Sequence, residues 1–148
     1  MRIYLDVCCL NRPFDDLRID RTRLESEAVV TIMNQILDKD WLLLGSEVAE
    51  IEISRIPDEG RRQRVSVLYS TARNNITIDP DVERRSIELE RRGFKPFDAL
   101  HISCAEKGKV DIFLTTDDDL LRKASQNRNI LKVRLENPVK WLMEVFER

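Results

Sequence analysis

The sequence predicts an α/β fold, a three-layer α/β/α sandwich around a central, mostly parallel sheet. Three observations lead there. Short apolar stretches alternate with longer amphipathic ones, the intervals between them suit right-handed crossovers, and no repeat or low-complexity linker divides the 148 residues. Residues 1–148 are therefore read as one domain, close to the upper limit of a typical single-core chain. A content of 42% hydrophobic and 35% charged residues describes a folded, soluble chain, even with a mean hydropathy of -0.39.

The elements follow in order. Met1 to Val7 (MRIYLDV) is apolar and rich in strand formers, so a first strand ends near Asp6, before a break containing Asn11, Arg12 and Pro13. From Asp20, Leu24, Ala28, Ile32, Met33, Ile36 and Leu37 recur at helical spacing. Trp41 to Leu44 reads as a second strand closed by Gly45-Ser46, with Ser46 capping a helix that runs to Ile56 before Pro57. A helix over 58–73 and a strand at Ile76 to Ile78 come next. Pro80 opens a helix ending near Gly93, and Pro96 opens another through Lys107. Asp111 to Thr115 is a late strand, followed by a helix from Asp117 to about Asn127 and a short strand at Leu131 to Val133. Asn137-Pro138 starts a closing helix through Phe146.

Composition excludes several classes. The longest apolar runs, such as Trp41 to Leu44, fall far short of the roughly 20 residues a membrane helix needs. Asp6, Asn11, Arg12, Asp15 and Asp16 interrupt any secretory apolar region, so the mature chain is expected to begin at Met1. Three cysteines, two of them adjacent, suit small buried hydrophobes in a reducing cytoplasm better than disulfides. One histidine and no Cys-x-x-Cys pair leave almost nothing for a zinc site. No catalytic Ser-His pair, P-loop or Gly-x-Gly-x-x-Gly is present.

Chemistry is expected where the parallel strands end, since ligands of such sheets sit beyond the carboxyl edge. Asp6 ends the first strand, and Glu47 and Glu50 open the helix after the second. Asp98 lies in the first turn of the helix before the late strand, and Asp117, Asp118 and Asp119 follow that strand. Carboxylates gathered there raise one another's pKa, and a divalent cation relieves the repulsion. An oxygen-rich donor set favours Mg²⁺ or Mn²⁺, which suits phosphodiester hydrolysis.

The opening IYLDVCCLNRPF, the stretch SEVAEIE, the segment FDALHISCA and the late LTTDDDLL resemble the four signature regions of PIN-domain proteins, and the resemblance spans nearly the whole chain. It implies a metal-dependent endoribonuclease acting on RNA, as the toxin of a toxin and antitoxin pair. A cognate antitoxin protein and a homodimer are the partners it implies. Carried over residue by residue, Asp6 is the first acid, Glu50 the second with Glu47 behind it, Asp98 the third and Asp117 the fourth. Thr115 matches the hydroxyl residue two positions before the fourth acid. Where the family commonly has Thr or Ser just after the first acid, Val7 and Cys8 stand here, which implies weaker metal binding or activity. Glu52 is set aside because, at ~100° per helical residue, it points nearly opposite Glu50.

Plainer roles exist for each residue. Asp98, Asp117 and Asp119 suit first turns of helices on dipole grounds alone, with Asp119 a capping acid. His101 is read as a structural hydrogen-bond partner near the core. Residues 61 to 95 hold nine Lys or Arg against five Asp or Glu, so Arg61, Arg62, Arg84 and Arg85 are candidate RNA contacts within a chain of net charge -2. This basic segment motivates a second reading, a non-catalytic module of the same fold binding RNA or a protein. A haloacid dehalogenase type of phosphatase is a weaker third, because Cys8 stands where that type has its second aspartate.

Overall fold

Period-2 alternation in the apolar stretches decides the two faces of the sheet. The computed structural model describes residues 1–147. Its strands are β1 (Arg2–Leu5), β2 (Leu42–Ser46), β3 (Arg73–Ile76), β4 (Ile112–Leu114) and β5 (Leu135–Glu136). All pair in parallel, in the spatial order β3-β2-β1-β4-β5. The helices are α1 (Val7–Asn11), α2 (Asp20–Leu37), α3 (Glu47–Ser54), α4 (Glu59–Tyr69), α5 (Pro80–Arg91), α6 (Pro96–Lys107), α7 (Asp118–Gln126) and α8 (Pro138–Glu147). On one face Ile3, Leu5, Leu43, Ile112 and Leu114 pack with Val29 and Ile32 of α2 and Trp141 of α8. On the other, Tyr4, Leu44 and Phe113 pack with Leu89 of α5, Ile102 of α6 and Leu120 of α7. The sandwich is the expected one. Among the described residues no helix is long and apolar enough to cross a membrane.

The helix starts follow from their caps. Ser46 Oγ accepts from the Ala49 amide at 3.1 Å, Asp79 Oδ1 from Val82 at 2.9 Å and Asn137 Oδ1 from Val139 at 2.8 Å. Pro80, Pro96 and Pro138 each sit at the first helical position, where the missing N–H costs nothing.

Four elements depart from the sequence reading. The break after β1 is instead a five-residue helix, α1, and a 3-10 turn over Arg12–Phe14, both too short to show a period. β3 lies at Arg73–Ile76 rather than Ile76 to Ile78. It is an exposed edge strand whose Arg73, Asn74 and Asn75 carry no apolar pattern. β5 lies at Leu135–Glu136 rather than Leu131 to Val133, because Leu135 pairs with Phe113. Val133 is buried all the same, so its apolarity reports packing and not strand. The helix expected over 58–73 is shorter, Glu59–Tyr69.

The strand order makes β1 the place where the chain's progression across the sheet reverses. From β1 the chain proceeds through β2 to β3 on one side, then returns to β4 and β5 on the other. The loops after β1 and β4 therefore part around a crevice at the carboxyl edge. The Asp6 amide donates to Leu114 O at 2.9 Å, which fixes the two strand ends side by side.

A buried acid outside that crevice holds its wall. Glu25 of α2 is only 1% exposed and accepts from Arg12 Nε at 2.8 Å, Arg21 Nε at 3.2 Å and Asn137 Nδ2 at 2.7 Å. Arg21 also forks onto Asp118 at 2.6 and 2.7 Å, so α2 is tied to the start of α7. Glu25→Ala is expected to cost about 3 kcal/mol, the lower end for breaking a buried ion pair, because Arg12 keeps Asp15. A urea midpoint shift gives the value, and a loss under about 1 kcal/mol, as at a surface pair, would contradict it.

Candidate metal centre

Asp6 is placed by the end of β1, where the chain turns into α1 with the carboxylate buried. Thr115 Oγ1, from the end of β4, donates to Asp6 Oδ2 at 2.8 Å and accepts from the Asp117 amide at 3.1 Å. One hydroxyl therefore sets both the orientation of Asp6 and the path of the chain into Asp117. Burial pushes the Asp6 carboxyl above the usual carboxylate range and Glu52 adds to this, against the lowering effects of His101, Thr115 and Cys8.

Asp98, in the first turn of α6, faces the same crevice. Its pKa is pushed up to about 6, first by burial and then by the charges of Asp6 and Asp117, with His101 and Lys95 opposing. Asp98 thus lies close enough to Asp6 and Asp117 to feel the charge of each. Asp117 also caps α7, but both of its cap bonds, from the amides of Asp119 at 2.9 Å and Leu120 at 3.2 Å, use Oδ1. The capping role and a place at the centre are compatible. Among the described residues no lysine or arginine forms an ion pair with Asp6, Asp98 or Asp117.

The acid that α3 brings to this group is Glu52, where the sequence reading chose Glu50 and then Glu47. One ligand atom each from Asp6, Glu52 and His101 lies within 4.8 Å of the others. Helix geometry gives the reason. α3 buries Val48, Ala49 and Ile53, and at ~100° per residue Glu52 falls between Val48 and Ala49 on that inward face. Glu50 and Glu47 fall on the opposite side. Glu50 is exposed with its charge felt by Tyr69, and the charge of Glu47 is felt by Cys104. The apolar residues of SEVAEIEIS carried this information, and reading them first would have selected Glu52.

His101 occupies a larger place than the sequence suggested. It is buried, with Nδ1 2.5 Å from Tyr4 Oη and Nε2 2.7 Å from Glu52 Oε1. Burial works to lower its pKa, yet the Glu52 hydrogen bond and the charges of Asp6, Glu52 and Asp98 outweigh that and raise it. Cys8 stands where a hydroxyl was expected: its Sγ lies 3.4 Å from Thr115 Oγ1 and accepts from the Thr116 amide at 3.4 Å. The other two thiols, Cys9 and Cys104, are buried as expected.

The remaining candidates lie apart. Asp119 pairs with Arg122 at 2.9 Å on the exposed side of α7. Arg61 is spent on Asp15 and on the Phe14 carbonyl, each at 2.8 Å, and Arg62 on the Ile56 carbonyl at 2.8 Å. Arg84 pairs with Asp81, and Arg85 forks onto the buried Glu106 at 2.7 and 3.0 Å. Arg61, Arg62 and Arg85 are thus engaged by the fold, whereas Arg84 makes only an exposed pair within α5. A cavity of about 1210 Å³ between α2, α7, β5 and α8 reaches Asp118 but is not lined by Asp6, Glu52, Asp98 or Asp117.

The donor set suits a divalent cation. Asp6, Glu52 and His101 offer two carboxylate oxygens and an imidazole nitrogen within 4.8 Å of one another, Asp98 feels the charges of Asp6 and Asp117, and the repulsion that raises Asp98 is what a cation would relieve. Comparison with known proteins points the same way for the fold. The chain is similar to a chain in the crystal structure of VapBC2 from Rickettsia felis bound to a DNA fragment from their promoter. The two share 16% identity over 93% of this chain and 98% of that one, with a TM-score of 0.58. No curated protein matches the sequence. A profile of the PIN domain matches residues 3–126, and the chain belongs to the PIN domain family.

Proposed function

We propose that the protein is a divalent-metal-dependent endoribonuclease and the toxin of a toxin and antitoxin pair. The observation that carries this reading is the convergence of Asp6, Asp98 and Asp117 without a lysine or arginine partner, in a PIN domain. The likeness to a VapBC2 chain supports an antitoxin protein as partner. RNA as substrate, a homodimeric assembly and a cytoplasmic location rest on the family resemblance of the sequence.

In this reading Asp6, Glu52, Asp98 and Asp117 hold Mg²⁺ or Mn²⁺. Such an ion supplies positive charge for an attacking water and for the phosphate oxygens of a scissile phosphodiester. The chain's own part is to fix its donors beforehand. Thr115 holds one oxygen of Asp6, the α7 start fixes one oxygen of Asp117, and α3 carries Glu52 on its inward face. Leu114, Thr115 and Thr116 are buried beneath these acids, so the strand ends close the floor of the crevice to water.

The correction within α3 gives a direct contrast. Glu52→Gln is expected to lower Mn²⁺-dependent cleavage of RNA by about 100-fold or more, in line with loss of a metal-centre group, whereas Glu50→Gln stays within about threefold of native. Equal effects of the two substitutions would contradict the placement, and a native protein inert on RNA with Mg²⁺ and Mn²⁺ would sink the nuclease reading.

Asp98 gives a pH test. Its folded pKa of about 6 lies above the unfolded value of roughly 3.9, so between those values the folded state binds more protons. The contribution of Asp98 to the stability of the metal-free protein therefore rises as pH falls through 6. Asp98→Asn lacks this repulsion at every pH. With chelator at pH 7.5 its melting temperature is expected to equal or exceed native, and its lead to shrink toward pH 5. A lead that grows on acidification would overturn the assignment.

A further inference from the structure

His101, Tyr4 and Ser46 form a buried relay of contacts that ends on Glu52. Tyr4 Oη lies 2.5 Å from His101 Nδ1 and 2.7 Å from Ser46 Oγ. Ser46 Oγ in turn caps α3 by accepting from Ala49, and the Ser46 amide donates to Tyr69 Oη at 2.7 Å. The far side of the imidazole, Nε2, meets Glu52 Oε1 at 2.7 Å. Tyr4 cannot move freely, because its ring stacks on Phe113 with centroids 5.0 Å apart. With the imidazole neutral, one assignment satisfies every contact: Nε2–H is donated to the Glu52 carboxylate, Nδ1 accepts the Tyr4 O–H, and the Tyr4 oxygen accepts from Ser46.

We infer that Tyr4 and His101 are positioning residues that hold Glu52 on the centre through a hydrogen bond, and that His101 is not itself a metal ligand. Both ring nitrogens are already paired, so ligation by His101 would break one buried contact. Glu52 lies near the last turn of α3, is partly exposed, and needs an outside group to choose its rotamer. Outer groups that orient a ligating carboxylate typically change metal affinity by about 10- to 100-fold when removed. The inference rests on the metal reading above. It assigns roles that pure core packing does not require, since an apolar side chain would fill the same volume.

Two amides separate the functions of the two nitrogens. His101→Gln places an N–H donor about where Nε2 lies, keeping the hold on Glu52, whereas His101→Asn replaces only Nδ1 and keeps Tyr4. Calorimetry of Mn²⁺ binding to native, His101→Gln, His101→Asn and Tyr4→Phe, each checked by circular dichroism and thermal melting, reads the outcome. The expected result is a Mn²⁺ affinity about tenfold or more weaker in His101→Asn, and only several-fold weaker in His101→Gln and Tyr4→Phe, each of which loses the Nδ1–Tyr4 contact alone. A loss in His101→Gln as large as in His101→Asn would make His101 a ligand and overturn the inference. Unchanged affinity in both, with only the melting temperature lowered, would reduce the relay to core structure. A native protein that binds no Mn²⁺ would remove the metal reading and this inference together, which sets that failure apart from the others.

Discussion

Repulsion among carboxylates that the fold forces together is the constraint on which the rest of the structure turns. Asp6 is buried at the end of the central strand, burial and the charges of Asp6 and Asp117 push Asp98 toward protonation, and among the described residues no lysine or arginine forms an ion pair with any of the three. Left alone, such a group destabilises the folded state at neutral pH. It persists because the scaffold that imposes it is strong: two apolar layers cover both faces of the sheet and hold the ends of β1 and β4 in register. The energy of packing holds these like charges close to one another.

The supporting contacts follow from that arrangement. Thr115 joins Asp6 to the chain entering Asp117, so one hydroxyl bonds both the Asp6 carboxylate and the Asp117 amide. Arg21 links the buried Glu25 to Asp118, the residue beside Asp117, and thereby ties α2 to the start of α7. The arginine-rich middle of the chain works for the fold as well. Arg61 braces the turn after α1, and Arg85 joins α5 to Glu106 of α6, the helix that carries Asp98. Cationic groups surround the scaffold but leave the crevice acidic.

Much of this was legible in the sequence, for physical reasons that differ by element. The parallel sheet was readable because β1, β2 and β4 are buried on both faces and so spell out continuous apolar runs. Asp6, Asp98 and Asp117 were readable because each follows a strand or opens a helix at the sheet edge. β3 and β5 were misplaced because edge strands of this size have no apolar signature, and pairing alone sets their register. That Glu52 is the α3 glutamate lying beside Asp6 was not legible, for a different reason. Three glutamates in one helix look alike until the buried positions of that helix are used to decide which way it faces. The role of Tyr4 and His101 was beyond reach of spacing, since their sequence separation of 97 is closed only by the fold.

The central claim is that these acids form one cation site, and locating the cation tests it most directly. A crystal soaked with Mn²⁺ and measured at the manganese absorption edge is expected to show anomalous density in the crevice bounded by Asp6, Glu52, Asp98 and Asp117, with His101 still on Glu52. Absence of a peak there at saturating Mn²⁺, or a peak held by Glu47 and Glu50 instead, would contradict it.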